Sequence, residues 1–297
     1  MTLGGARRPV RRSEVARFRG DGFVAVNRAV VAADARSRVR TLLDALFERA
    51  AELPRPWVHD LAPGPDGESI PEIVQCAHLE PRLLRTGAYA VALRAARQLL
   101  GSPVELSYDQ AIFKPAGSDA TALHQDLAFA PEGIDVQGAS IWLALVDAPE
   151  SSGCMRFLPD TPDGLLDHEP VGRDALAVVG VDAGDARAYP VPAGGFTAHT
   201  PRAVHGSGPN QGPGVRAAWI LNFVPDHRSR GRRMWERSLE LQGVVVPRRF
   251  REVNAAFGSR GSGSTRSDPR WFDRTQPPGQ DAGTDAKLPS DDDRAYR

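Results

Sequence analysis

Beyond Gly101 the chain breaks into short runs rich in β-branched and aromatic residues, divided by turn-forming residues. A sequence patterned this way buries its apolar side chains by laying strand against strand, so this region is all-β. Strands are predicted near 103–113, 121–129, 139–147, 153–158, 187–191, 194–199 and 215–224. In the last of these Arg216, Ala218, Ile220 and Asn222 alternate with Ala217, Trp219, Leu221 and Phe223. Successive side chains of a strand point to opposite faces. One face is therefore large and apolar and the other is led by an arginine, which suits a barrel wall with helices packed outside it.

Those helices precede Gly101. Ser13 is placed to cap a short helix carrying Val15 and Phe18, ahead of the strand Phe23–Val26. A helix over 34–53 keeps Val39, Leu42, Leu43, Leu46 and Ala50 on one face. The Pro-, Gly- and Asp-rich stretch 57–70 reads as a surface loop, and a second helix over 81–100 stops at Gly101. Residues 1–12 form a flexible basic arm, and 13–257 a single domain. The Gly-, Ser- and Asp-rich segment 258–297 is predicted to be disordered or loosely docked, with Trp271 and Phe272 its only candidate anchors.

Formal net charge is zero, from 37 basic and 37 acidic residues, so nothing asks for nucleic acid or an anionic membrane as partner. Cys76 and Cys154 sit in apolar surroundings and are predicted to be buried free thiols. With no signal-like segment and no long apolar run, the protein is predicted to be cytoplasmic. A small-molecule substrate is the expected partner, and a monomer suffices.

The chemistry is concentrated in TALHQDLAFAP. His124 and Asp126 stand two positions apart in a predicted strand, so both point to one face with Gln125 turned away. Two such groups make part of a metal site. His205, in TPRAVHGSGPN, and His199, in GGFTAHT, compete to complete it. Two histidines and a carboxylate with open positions make the facial triad of non-haem iron oxygenases. Zinc also accepts such ligands, but zinc leaves Arg216 unexplained, whereas a dicarboxylate cosubstrate does not.

Taken in order over residues 14–225, HQD at 124–126, SIWLALVDA, the HGSGPN loop and Arg216 resemble the phytanoyl-CoA dioxygenase family of Fe(II)/2-oxoglutarate oxygenases. The resemblance implies a mainly β, double-stranded β-helix (jelly-roll, cupin-like) barrel with flanking N-terminal helices. It implies Fe(II) on His124, Asp126 and His205, with His199 a neighbour and not a ligand. It further implies that Arg216 holds the far carboxylate of 2-oxoglutarate, with Gln125, Trp142 and Ser207 beside that cosubstrate. O2 is the oxidant, and the reaction is oxidation, usually hydroxylation, of a C–H bond in a small metabolite or natural-product intermediate. Asp126 sets the chain apart from halogenating members, which carry a small residue there. A PGSH-like turn common in the family is replaced here by PDTPDG. Lys114 is expected at a surface turn, or else as a second positive charge near the site, and His168 as a structural residue. The loops 57–75, 130–138 and 160–186 carry no basic cluster suited to an acyl-CoA. Two other classes fit the residues: a cupin-like metal isomerase or hydrolase that needs no 2-oxoglutarate, and a catalytically silent ligand-binding barrel.

Overall fold

Helix α1 (Arg12–Asp21) begins where the Glu14 carboxylate accepts the Arg11 N–H at 2.7 Å, so Ser13 lies inside the first turn and does not cap it. The structure, a computed structural model, describes residues 8–53, 57–62, 67–129, 137–161, 164–172 and 174–225. Most of the predicted arm, most of the loop 130–138 and the predicted tail with Trp271 and Phe272 lie outside these residues. Gly22 ends α1 at φ +78°, and β1 (Phe23–Val26) follows. Helix α2 (Ala33–Glu48) buries Val39, Leu42, Leu43 and Leu46, the predicted stripe. It is shorter than predicted and passes into a 3-10 turn at Ala50–Glu52.

The predicted loop 57–70 contains β2 (Val58–Asp60), and β3 (Pro71–Val74) follows it. Runs of three or four residues are too short to display a period, which is why they read as loop. The predicted helix 81–100 is also interrupted. A single turn, α3 (Cys76–Leu79), and a 3-10 turn at Pro81–Arg85 precede α4 (Gly87–Leu100). Thr86 restarts the helix, because its hydroxyl oxygen accepts the Tyr89 N–H at 3.2 Å.

Ten more strands follow among the described residues: β4 (Val104–Lys114), β5 (Thr121–His124), β6 (Ala139–Ala144), β7 (Met155–Phe157), β8 (His168–Val171), β9 (Ala175–Val178), β10 (Arg187–Ala188), β11 (Phe196–His199), β12 (His205–Ser207) and β13 (Arg216–Pro225). They form a seven-stranded sheet in the order β1-β11-β6-β13-β4-β3-β2, a four-stranded sheet in the order β10-β7-β12-β5, and the hairpin β8-β9. The fold is a double-stranded β-helix with its helices against the outer face of the large sheet.

β13 explains the layering. Ala217, Trp219, Leu221 and Phe223 face outward into the same core as Leu43, Leu46, Tyr89 and Leu93 of the helices. Ala218 and Ile220 face inward with Trp142, Met155 and Phe157. Each large apolar side chain buried this way stabilises by about 1.5–3 kcal/mol. Phe23 of the large sheet stacks on Phe157 of the small one at 4.5 Å, tying the two layers together. Cys76 and Cys154 are buried and free. Among the described residues no helix is long and apolar enough to cross a membrane.

Residues paired across an antiparallel ladder share a face, so the register sets the inner wall as rungs. His199, Ser140, Asn222 and Tyr108 make one rung across β11, β6, β13 and β4. Thr197, Trp142, Ile220 and Gln110 make the next. Arg216 and Lys114 pair at the far end.

Candidate metal centre and its cavity

β5 ends at His124, and Asp126 does not continue it but opens a 3-10 turn. The predicted strand over 121–129 is therefore half strand and half turn. Gln125 makes the corner. Its backbone N–H donates to His168 Nε2 at 3.1 Å, and its amide nitrogen donates to the carbonyls of Gly164 and Arg202 at 2.9 and 2.6 Å. Its amide oxygen accepts the Leu166 N–H at 2.8 Å. With every polar atom engaged by other groups, Gln125 is a corner brace and has no free atom for a cosubstrate, which corrects the expected contact. His168 holds the same corner, donating from Nδ1 to the Leu166 carbonyl at 2.8 Å.

His205, predicted in a loop, sits on β12 directly opposite His124 of β5. Gly206 allows this approach, since a Cβ there would lie 2.8 and 2.9 Å from the carbonyl oxygens of Thr121 and Ala122. One potential donor atom from each of His124, Asp126 and His205 falls within 4.8 Å of the others. Asp126 Oδ1 is 3.7 Å from His124 Nε2 and 3.5 Å from His205 Nε2. The tautomers follow from the partners of the other ring nitrogens. His124 Nδ1 lies 3.0 Å from the Ala122 carbonyl and His205 Nδ1 lies 2.9 Å from that of Ala203. A carbonyl only accepts, so both Nδ1 atoms carry a proton, and Nε2 is the atom that each ring can offer to an ion. Burial, then repulsion from His199, drives the His205 pKa well below the usual imidazole value despite the pull of Asp126. For Asp126 burial raises the pKa, but His205, the hydrogen bond from His199 and His124 outweigh it and hold the carboxyl well below its usual range. Two imidazoles that can each turn Nε2 to one point and an ionised carboxylate are the donor set that a divalent ion such as Fe(II) requires.

His199 has a different part. Its Nε2 lies 3.2 Å from Asp126 Oδ2 and donates to it, so that nitrogen offers no lone pair to an ion. The Ser140 hydroxyl reaches the same oxygen at 2.9 Å and also lies 2.5 Å from the Asn222 side chain. Oδ2 is thus held from behind while Oδ1 faces the two imidazoles.

The cavity in front of these residues is lined by Trp142, Met155, Ser207 and Arg216 on the side toward β13. Arg216 is 2% exposed; it donates from Nη1 to the Gly153 carbonyl at 2.9 Å, and its Nε has no partner. Its guanidinium lies 5.0 Å from the centre of the Trp142 ring. Lys114 is fully buried, which corrects its expected surface position, and donates to Ser207 Oγ at 3.1 Å. The inward register of β4 opposite Arg216 was the signal for it. Burial and the nearby Arg216 push the Lys114 pKa down to about 6, and burial pushes Arg216 down to about 10. Among the described residues no carboxylate pairs with either cation. Asn210 of HGSGPN secures this end by donating to the carbonyls of Lys114 and Gly214 at 2.9 and 2.8 Å.

Fold and donor set together define a double-stranded β-helix with a candidate mononuclear metal centre. The family model of phytanoyl-CoA dioxygenase (PhyH) matches residues 18–218, and the chain belongs to that family. A protein of Stutzerimonas stutzeri described as a probable alpha-ketoglutarate-dependent hypophosphite dioxygenase is 31% identical over 134 residues, 42% of this chain and 46% of that protein. The match spans about half the length of that relative. The crystal structure of EvdO2 from Micromonospora carbonacea var. aurantiaca, complexed with 2-oxoglutarate, superposes with a TM-score of 0.61 at 26% identity, covering 73% of this chain and 91% of that one. SnoK, an alpha ketoglutarate dependent carbocyclase from nogalamycin biosynthesis, shares the fold with a TM-score of 0.60 at 20% identity, covering 76% of this chain and 87% of that one.

Proposed function

We propose that the chain is an Fe(II)- and 2-oxoglutarate-dependent oxygenase that oxidises a C–H bond of a small molecule. The observation that carries this reading is the meeting of two features in one cavity. His124, Asp126 and His205 converge as a donor set. Beside them Arg216 lines the cavity, buried and with no carboxylate within ion-pair distance among the described residues, and the buried Lys114 reaches the lining residue Ser207. Burying the unpaired Arg216 guanidinium costs several kcal/mol, so the site calls for an anion. A metal isomerase, a hydrolase or a silent barrel has no need of that pair. Family membership and the 2-oxoglutarate bound in EvdO2 support the same cosubstrate.

In this reading His124 and His205 would hold the ion through Nε2 and Asp126 through Oδ1. Ferrous iron held there supplies the redox chemistry that couples oxidative decarboxylation of 2-oxoglutarate by O2, giving succinate and CO2, to insertion of the second oxygen atom into the substrate. Arg216 and Lys114 hold the far carboxylate and so fix the direction of the cosubstrate. Ser207 orients Lys114, and the Trp142 face covers the guanidinium and keeps water from it. His199 and Ser140 keep Asp126 ionised and aimed.

Anaerobic addition of Fe(II) and 2-oxoglutarate tests this directly. A visible metal-to-ligand charge-transfer band is expected, lost in His124→Ala, Asp126→Ala and His205→Ala. A wild-type protein that binds iron but develops no band with 2-oxoglutarate would overturn the oxygenase reading.

A further inference from the structure

The cavity is chemically two-sided. Toward β13 it presents the Arg216 guanidinium, together with Ser207 of the small sheet, whose hydroxyl oxygen accepts from the Lys114 amine. Toward β3 and β9 it presents Glu72 and Asp174, and Leu61, Ile112 and Leu176 line it as well. Register fixes the orientation of Glu72: it pairs with Ile112 across β3–β4 while Val74 pairs with Gln110, so Glu72 shares the inward face. It is 4% exposed and holds His59 through Oε2 at 3.2 Å. Asp174 accepts the Asp60 N–H through Oδ2 at 2.9 Å, which closes this wall between β2 and β9. Each carboxylate keeps its second oxygen without a hydrogen bond among the described residues, and neither pairs with a lysine or arginine. On the same wall the Tyr108 hydroxyl and the Gln110 amide line the cavity and make no side-chain hydrogen bond among the described residues.

We propose that this wall receives a positively charged nitrogen of the substrate, an ammonium, amidinium or guanidinium group, between Glu72 and Asp174, with Tyr108 and Gln110 as its neutral hydrogen-bond partners. This inference rests on the oxygenase reading of the same cavity. A neutral hydroxyl would donate a hydrogen bond but bring no counter-charge to two carboxylates held only by His59 and the Asp60 N–H, whereas a cation balances the charge. Anionic substrates, whether hypophosphite or a polyphosphate-bearing thioester, meet repulsion from two carboxylates. The opposed charges also sort the ligands: the dicarboxylate is drawn to Arg216 and Lys114, and the cationic substrate to the other wall, so neither takes the other's place.

The test titrates probes into the anaerobic protein loaded with Fe(II) and 2-oxoglutarate, following perturbation of the charge-transfer band. Probes are alkylammonium ions from propyl to hexyl, the alkanoates of matched length, and hypophosphite. At least one ammonium ion is expected to bind about tenfold or more tightly than its matched alkanoate and than hypophosphite, a difference of about 1.4 kcal/mol. Glu72→Gln and Asp174→Asn are each expected to weaken that ammonium ion about tenfold, with the 2-oxoglutarate titration as the control for an intact fold. Should Glu72→Gln fail to fold, Asp174→Asn decides alone. Alkanoates or hypophosphite binding as well as the ammonium ions, or ammonium binding indifferent to both variants, would overturn the inference and leave the oxygenase reading standing. Failure of the band to form with 2-oxoglutarate would overturn both.

Discussion

Ser140 donates its hydroxyl to Asp126 Oδ2 at 2.9 Å, and the oxygen it leaves free, Oδ1, is the one that faces His124 and His205. His199 donates to that same Oδ2 at 3.2 Å. Asp126 stands on a 3-10 turn, where backbone alone fixes its carboxylate less firmly than a strand would, and the rung behind it supplies the aim. Loss of one such outer partner commonly lowers metal affinity about 10–100-fold. Ser140→Ala and His199→Ala are each expected to weaken Fe(II) binding within that range with the fold retained. His199→Gln, which keeps a donor, is expected to recover part of it. Unchanged Fe(II) affinity in both alanine variants would show that the turn aims Asp126 unaided.

The two cations predict separate outcomes. Arg216→Ala removes one partner of a desolvated pair, at a cost of about 3–5 kcal/mol, roughly a hundred- to several-thousand-fold in 2-oxoglutarate affinity. Arg216→Lys is expected to fall between, since it keeps the charge but loses the planar fork. Iron binding survives in both. A wild-type cosubstrate affinity in Arg216→Ala would make the residue structural.

Lys114 adds a pH dependence. Burial and Arg216 lower its pKa to about 6, so the unliganded lysine is neutral above that pH. A bound carboxylate favours the charged form, and binding therefore takes up a proton. The affinity for 2-oxoglutarate is strongest below about pH 6 and weakens by up to about tenfold per unit as the pH rises from there. Titrations across that range are expected to show the slope in the wild type and to lose it in Lys114→Met, which also binds about 10–100-fold more weakly. Equal slopes in the two proteins would remove Lys114 from the cosubstrate site.

Long-period features of the structure were legible in the sequence, and short or paired ones were not. The alternation of β13 separated Arg216 and Ile220 from Trp219 and Phe223 correctly, because ten consecutive residues display a period. The stripe of α2 was legible for the same reason. β2, β3, β8, β9 and β12 have only three or four residues each and owe their form to neighbours distant in the chain. Lys114 was misread because a lysine before a proline looks like a turn; its burial depends on pairing with Arg216, which local sequence does not encode. Gln125 was misread because a side chain facing away from a metal can equally be a brace or a cosubstrate contact. Gly164, Leu166 and Arg202, all far away in sequence, distinguish the two. Motif order carried the family reading further than local structure did.

Gly206 predicts an effect that spreads from packing to the site. A Cβ at this position meets two backbone oxygens at 2.8 and 2.9 Å, and backbone cannot rotate aside as a side chain does. Gly206→Ala is expected to push β12 from β5 and move His205 away from His124. Overpacking of this kind costs about 1–3 kcal/mol, and in a domain of this size roughly 2–4 °C of Tm per kcal/mol. Fe(II) affinity should fall with Tm in the same variant. A variant with wild-type Tm and iron binding would mean that the two strands tolerate a methyl group between them.

Asp109 lies on the outer face of β4, away from the cavity, and governs stability rather than binding. It is fully buried, accepting the Trp219 indole N–H at 2.7 Å and the Ala77 N–H at 3.1 Å. Burial raises its pKa from 3.8 to about 7, against those hydrogen bonds. The folded state thus holds a proton that the unfolded state releases above its own lower pKa. The contribution to stability is fully present below about pH 4 and is lost as the pH rises through about 7. Its size is at most about 4 kcal/mol, from about three pKa units at 1.36 kcal/mol each. Asp109→Asn keeps an oxygen for Trp219 and carries no charge, so the difference in unfolding free energy between variant and wild type is expected to grow in the variant's favour between about pH 4 and about pH 8. Urea unfolding of the metal-free proteins across that range measures it, with the triad common to both. A difference that stays constant with pH would mean that Asp109 is ionised throughout and that the Trp219 and Ala77 N–H groups stabilise the charge fully.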